Sequence, residues 1–91
     1  MYRILYTEHY NKRARKFLKR HPEVKQQYRK SLELLEVDPG HPSLRLHKLK
    51  GSLSELYSVS INISYRITLF FIIEKDAIVP VDIGSHEEVY E

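Results

Sequence analysis

The chain lacks several residue types on which common protein functions depend. It contains no cysteine, no tryptophan and only three glycines among its 91 residues. Without cysteine it has no disulfides, thiolate metal ligands or cysteine nucleophiles, which fits a reducing compartment, so we expect a cytoplasmic protein. It also lacks a Gly-rich phosphate loop and a Ser-His-Asp motif with a nucleophile elbow. Both absences argue against nucleotide-binding and serine-hydrolase classes.

Long hydrophobic runs are missing as well. The longest, at residues 69–73, has the length of a strand and falls far short of the ~20 residues that a membrane helix needs. The first residues, MYRI, do not begin a signal peptide. We therefore expect no contact with membranes, and the length predicts one domain over residues 1–91.

Grouped metal ligands are also missing from the sequence. His41 and His47 are separated by five residues and have no thiol or cluster of carboxylates beside them. Zinc sites in proteins combine several such ligands at short, regular spacings. The sequence therefore predicts no metal site and no cofactor.

The charged residues are divided unevenly along the chain. Residues 1–50 hold 13 Lys and Arg against 5 Asp and Glu, a net charge of +8, whereas residues 51–91 hold 2 against 7, a net charge of −5. A basic excess on one part of a small domain is typical of proteins that bind nucleic acid or an acidic protein segment. The alternative is a solvated helical face without a partner.

The first half of the chain has helical periodicity. After a short strand at residues 3–6, Thr7 is suited to cap a helix. Pro22 is suited to the first turn of a second helix, which ends before Asp38. The apolar stripes of the two helices are Tyr10, Ala14, Phe17 and Leu18, and Val24, Tyr28, Leu32 and Leu35. These stripes predict a helical hairpin with one apolar and one basic side.

The second half alternates between apolar and polar residues with a period of two, which predicts strands. Reversals are expected at residues 62–64 and 74–76, before a strand at residues 77–83 in which Pro80 indicates an edge or a bulge. The predicted fold is α+β: an N-terminal strand, a two-helix hairpin packed on one face of a twisted, mainly antiparallel sheet, and a short C-terminal turn or helix. The other sheet face is expected to stay open to solvent or a ligand.

Three positions are candidates for chemistry. His47 lies among the cations of the segment RLHKLK at residues 45–50, a set suited to phosphate. Arg66 is the only cation in residues 51–74, and its guanidinium fork fits a phosphate. The alternative for this arginine is an ion pair with Glu55, Asp82 or Glu74. His86 follows Ser85, which begins a capping pattern for a last helical turn, and an imidazole can transfer protons near neutral pH.

Three short motifs occur in a fixed order along the chain. They are LHKLKG at residues 46–51, YRI at residues 65–67 and IGSHEEVY at residues 83–90. Together with the order of elements, they resemble the RelE/ParE superfamily of type II toxin–antitoxin toxins over nearly the whole chain. The likeness is to the YafQ and RelE/StbE-type branch, whose members end in a similar I-G-S-H-x-E-x-aromatic signature.

The resemblance implies a bacterial endoribonuclease that cuts messenger RNA in the ribosomal A site without a metal, and that is silenced by a small, acidic, partly disordered antitoxin. Carried over by position, it gives four catalytic candidates: His47, Arg66, His86 and Tyr90. In the expected reaction His86 is the base and His47 the acid, or the reverse. Arg66 clamps the phosphate, and Tyr90 stacks on a base or orients it. The expected RNA contacts are Lys12, Arg13, Lys16, Arg20, Arg45, Lys48 and Lys50.

The chain departs from the YafQ-like pattern at three positions. Ser60 and Ser64 stand where those toxins have a histidine and an aspartate, and Asp82 stands where they have an arginine. Arg66 matches the strand arginine of RelE and YoeB-like members and is expected to replace that cation. Two alternatives remain: a ParE-like inhibitor of DNA gyrase, which needs no proton-transfer residues, and an inactive homologue that only binds antitoxin, which Asp82 and the acidic tail favour.

Overall fold

The computed structural model describes residues 1–53 and 55–90, apart from the side chains of Glu88 and Tyr90. The strands are β1 (Arg3–Ile4), β2 (His47–Lys48), β3 (Tyr57–Ser60), β4 (Tyr65–Ile72) and β5 (Ala77–Ser85), and the α-helices are α1 (Glu8–Arg20), α2 (Lys25–Val37) and α3 (His86–Tyr90). Short 3-10 turns lie at Pro22–Val24, Pro42–Leu44, Gly51–Leu53 and Ile73–Lys75. None of the helices in this part of the chain is both long and apolar enough to cross a membrane.

The strands form a five-stranded sheet in the order β1-β5-β4-β3-β2. All neighbouring pairs are antiparallel except β1 and β5, which run parallel, so the predicted mainly antiparallel α+β fold is confirmed. The first strand is shorter than predicted and pairs only with Ala77 and Ile78. The backbone N–H of Leu5 also donates a hydrogen bond to the carbonyl oxygen of Ile78 at 2.8 Å. Among the described strands, none flanks the remainder of β5 on that side, so residues 79–85 form a free edge.

The helical hairpin follows the predicted stripes. Thr7 Oγ1 accepts a hydrogen bond from the backbone N–H of Tyr10 at 3.1 Å, which is the predicted cap of α1. The second helix differs from the prediction at its start, because Pro22 opens a 3-10 turn and the α-helix begins only at Lys25. The Val24 N–H donates to the carbonyl three residues earlier, and this tighter bond forms the turn.

Both predicted reversals between the strands are confirmed. Asn62 Oδ1 accepts hydrogen bonds from the backbone N–H groups of Ser64 and Tyr65 at 2.8 and 2.9 Å, which closes the β3–β4 turn. The β4–β5 turn ends on Asp76 in a left-handed conformation with φ of 48°, which aspartate tolerates better than most residues.

Pro80 lies at a bulge, within the part of β5 that forms the free edge. Thr68 pairs with Asp82 and Leu69 with Pro80, so Val81 is the extra residue of β5. The sequence predicted an edge or a bulge at this proline, and both are present. Proline is tolerated here because the ladder is already interrupted.

The sheet register separates an apolar face from a polar one. Val59 and Ile67 pair directly and join the core beneath α1 and α2, while Ser58, Ser60 and Thr68 lie on the opposite face. The expectation that this opposite face is open is wrong at those three positions, since all are buried. The short helix α3 contacts β4 and β5 and reduces the exposure of that face.

Candidate active site

His47 is held in a defined orientation on the outer strand β2. Its Nδ1 lies 3.0 Å from the carbonyl oxygen of Arg45. Because a carbonyl oxygen only accepts, Nδ1 carries the hydrogen in this contact. Nε2 is therefore the acceptor of the neutral ring and a second donor of the protonated ring. Arg45 itself has a left-handed backbone with φ of 50°, which turns the chain into the strand.

His47 and His86 line the same pocket, which has a volume of about 330 Å³. His86 is the first residue of α3, and its side chain is exposed. Lys48, Leu49, Lys50 and Leu53 complete the described lining. We call this cavity the histidine pocket. It combines two groups able to exchange protons near neutral pH with two cations able to attract a phosphate.

Arg66 lies on β4 in the row that crosses from Ser60 to Gly84. Its Nη1 donates a hydrogen bond to Ser60 Oγ at 2.9 Å. Among the described carboxylates, none forms an ion pair with this guanidinium, so the predicted alternative partners Glu55, Asp82 and Glu74 are wrong. The guanidinium is oriented by a neutral hydroxyl.

Arg66 shares a sheet face with His47 but does not line the histidine pocket. Directly paired residues point to the same side, so the row through His47, Ser58 and Thr68 lies beside the row through Ser60 and Arg66. Two strand spacings and two residues separate His47 from Arg66, which corresponds to about 12 Å between their Cα atoms. The structure thus brings the two histidines together and leaves the arginine next to them.

The other predicted site residues fall into separate groups. Tyr90 belongs to α3, and its side chain lies outside the part of the chain that the structure describes. Arg45 is exposed beside the histidine pocket, whereas Lys12 pairs with Glu8 on the exposed side of α1, with 3.8 Å between Nζ and Oε1. The predicted RNA contacts Arg13, Lys16 and Arg20 line a second cavity.

This second cavity lies between α1 and the free edge of β5 and has a volume of about 160 Å³. We call it the edge pocket. Asp82 Oδ1 accepts a hydrogen bond from Arg13 Nη1 at 3.3 Å and another from the backbone N–H of Ile83 at 2.8 Å. Sequence reasoning missed this ion pair, because its partners are far apart in the sequence and no local pattern links them. Asp82 therefore faces α1 and is absent from the described lining of the histidine pocket.

An aromatic cluster borders the edge pocket and was also missed. The hydroxyl of Tyr65 lies 3.2 Å from His21 Nδ1, and the two ring centroids are 4.7 Å apart. The ring of Phe17 packs against the same imidazole at 4.9 Å. His21 is a residue between two helices in the sequence, and only the folding of the hairpin onto β4 brings it to these partners.

The helical hairpin on one face of a five-stranded mixed sheet, followed by a short C-terminal helix, gives this chain a fold similar to that of solved toxin structures. No protein-family model and no curated protein matches the chain. YafQ from E. coli strain BL21(DE3) matches with a TM-score of 0.79 and 12% identity over 100% of both chains. A YoeB/ParE toxin from Agrobacterium tumefaciens matches with a TM-score of 0.72 and 13% identity over 92% of this chain and 98% of that one.

A third similar structure is a complex. The E. coli DinJ-YafQ toxin-antitoxin complex matches with a TM-score of 0.77 and 14% identity, over 99% of this chain and 98% of that one. The predicted RelE/ParE toxin fold, in its YafQ-like form, is confirmed by these likenesses. At such identities they concern the fold, and the chemistry has to be argued from this chain's own residues.

Proposed function

We propose that this protein is the toxin of a type II toxin–antitoxin system and a metal-independent endoribonuclease that cuts messenger RNA on the ribosome. The observation that carries this proposal is the meeting of His47 and His86 in one pocket beside Lys48 and Lys50. These two histidines come from opposite ends of the sheet region, and a purely structural role needs neither of them exposed. Imidazoles and cations are the groups that phosphodiester cleavage without a metal requires.

The reaction is an internal transesterification. His86 removes the proton of a ribose 2′-hydroxyl, and the 2′-oxygen forms a bond to the adjacent phosphorus. The bond from phosphorus to the 5′-oxygen breaks, and His47 gives its proton to that oxygen. The products are a 2′,3′-cyclic phosphate and a free 5′-hydroxyl. The hydrogen bond from His47 Nδ1 to Arg45 directs Nε2 to this task, and the two histidines can exchange roles.

Arg66 stabilises the negative charge that grows on the phosphoryl oxygens. Its guanidinium, oriented by Ser60, lies on the sheet face next to the histidine pocket. A phosphate that extends from this pocket over the sheet can take two parallel hydrogen bonds from the fork. Such prearranged donors act mainly on the transition state. Tyr90 supplies the stacking or orienting group for a base, as the family resemblance implies.

The proposal includes the partners of a toxin. The antitoxin is acidic and partly disordered, and folds on the basic part of this chain; the DinJ-YafQ structure is a precedent for such a complex in a protein of the same fold. The ribosome and its message meet the surface cations Lys12, Arg13, Lys16, Arg20, Arg45, Lys48 and Lys50. Residues 1–91 act as one domain, in the cytoplasm, where both partners are found.

A ParE-like inhibitor of DNA gyrase is the second candidate, because a YoeB/ParE toxin shares this fold. It requires no pair of exposed histidines in one pocket, so the site favours the ribonuclease. Asp82 gives less support to the inactive homologue, since Arg13 binds it on the α1 side and it is absent from the described lining of the histidine pocket.

The test is controlled induction in bacteria, followed by mapping of RNA 3′ ends and by a gyrase supercoiling assay. We expect growth arrest, message cuts within codons and normal supercoiling. Intact RNA with inhibited supercoiling supports the gyrase candidate. Free expression without growth arrest, and without capture of a small partner encoded beside the gene, contradicts both toxin functions.

A further inference from the structure

We infer that the edge pocket is a second phosphate subsite, which binds a phosphodiester of the same RNA strand that is cut in the histidine pocket. This inference rests on the proposed function. It adds a second binding position for the RNA and states where the strand runs between the two pockets. It assigns to Arg13, Lys16 and Arg20 a contact with the message itself, in contrast to general attraction to ribosomal RNA.

The charge of the edge pocket suits an anion. Arg13, Lys16 and Arg20 occupy one stripe of α1, at positions i, i+3 and i+7. Asp82 is the one carboxylate in the described lining, so a positive excess remains. Arg13 is also oriented in advance, because its Nε donates to His9 Nε2 at 3.0 Å and its Nη1 to Asp82. A guanidinium fixed in this way loses little freedom when it binds a phosphate.

The size of the edge pocket favours a phosphate over an acidic protein segment. Its volume of about 160 Å³ is below the ~300 Å³ at which pockets for drug-sized ligands begin. A protein helix or strand needs a longer groove. His21, packed on Phe17, borders the cavity and offers a partly exposed ring to a neighbouring nucleobase.

The two pockets are connected through β5. Ile83 lines the edge pocket and His86 lines the histidine pocket, and the three residue steps between them span at most about 10 Å. Among the described strands, none covers this edge, so a single RNA strand can cross it. Asp82 accepts the N–H of Ile83, which removes one donor that an added β-strand would need. The edge is thereby better suited to RNA than to strand addition.

The experiment uses ribosome-bound messages in which one phosphate at a time is replaced by an uncharged methylphosphonate. A 2′-deoxy sugar at the cut position makes the message uncleavable, so binding is measured apart from cleavage. For the wild-type protein we expect about a 10-fold loss of affinity at one position outside the scissile phosphate, the size of a charged hydrogen bond. Lys16→Ala and Arg20→Ala should each weaken binding by a similar factor and abolish the sensitivity at that position.

Lys19→Ala is the matched control, since it removes an exposed cation of α1 that does not line the edge pocket. It should leave the sensitive position unchanged. The inference is overturned if no position is singled out, if Lys16→Ala weakens every message equally, or if it impairs only antitoxin capture. A wild-type protein that cuts no natural message contradicts the proposed function alone, because the binding scan does not depend on cleavage.

Discussion

Ser60 Oγ accepts a hydrogen bond from Nη1 of Arg66 at 2.9 Å, and this serine is 7% exposed. Ser60 therefore orients the guanidinium that we propose as the phosphate clamp. We predict that Ser60→Ala lowers single-turnover cleavage by about 10-fold, the worth of a hydrogen bond to a charged group, while Ser60→Thr retains most of the rate. Ser64→Ala, an exposed turn position, is the control and should cut normally. Equal rates for Ser60→Ala and wild type would contradict the orienting role.

Replacing Arg66 with lysine tests whether cleavage needs the guanidinium fork as well as a positive charge at this position. Lysine keeps the charge but loses the fork, so Arg66→Lys should lower the cleavage rate by about 100- to 1,000-fold, as the loss of a prearranged donor does. Affinity for the message should change little, because the proposed clamp acts on the transition state. Arg29→Lys, on the exposed surface of α2, is the matched control. A thermal melt shows whether the variant is folded, and a folded Arg66→Lys protein that cuts at the wild-type rate removes Arg66 from the site.

Asp82 stands where YafQ-like toxins carry an arginine, yet its side chain belongs to the edge of the sheet. Asp82→Asn keeps an acceptor for the N–H of Ile83 and removes the charge that pairs with Arg13. The pair is partly exposed, so its loss should cost at most about 1 kcal/mol of stability. Cleavage should stay within a few-fold of wild type, as measured by single turnover. A large gain or loss would place this carboxylate in the reaction.

A buried pair of tyrosine hydroxyls gives a prediction on stability. Tyr10 is fully buried, and its hydroxyl lies 3.0 Å from that of Tyr28. Tyr28→Phe leaves the buried hydroxyl of Tyr10 without this partner, which should cost about 1 to 3 kcal/mol. Tyr10→Phe removes the buried hydroxyl and leaves the half-buried Tyr28 to bind water, so it should cost less. Urea unfolding measures both, and the reverse order would contradict the account.

The same pair predicts how stability changes in alkali. Burial, and next the neighbouring Tyr28, raise the pKa of Tyr10 above its ordinary value of 10.0. The folded protein then holds a proton that the unfolded chain releases above about pH 10. The contribution of protonated Tyr10 to the free energy of unfolding is therefore fully present below that pH and declines as the pH rises above it. The urea midpoint of Tyr10→Phe should fall less steeply than that of wild type above pH 10.

Local chemistry made much of the fold predictable. Thr7 capped a helix, Asn62 closed a turn and Pro80 marked a bulge, because each acts on backbone groups within a few residues. The parallel pairing of β1 with β5 has no such local signal. Neither has the burial of Thr68, which depends on tertiary packing over the polar face of the sheet.

The candidate site was predictable only in part, for the same reason. The motifs around His47 and His86 identified two residues that the structure brings into one pocket. The partner of Arg66 was predicted as a carboxylate and is the hydroxyl of Ser60, since alternation shows which face a residue occupies and not which neighbour it reaches. The edge pocket combines a helix stripe with a strand that follows some 60 residues later, as the 69-residue separation between Arg13 and Asp82 illustrates.

Single-turnover cleavage of a ribosome-bound message by wild type, His86→Ala and His41→Ala tests the central claim most directly. The account predicts a wild-type product that ends in a 2′,3′-cyclic phosphate, formed without added zinc or manganese. It predicts a loss of about 100-fold or more for His86→Ala, the size of a proton-transfer contribution, and a normal rate for His41→Ala, whose ring bonds to Ser43 away from the pocket. A folded His86→Ala protein that cuts as fast as wild type, or a product with a 3′-hydroxyl, would contradict the account.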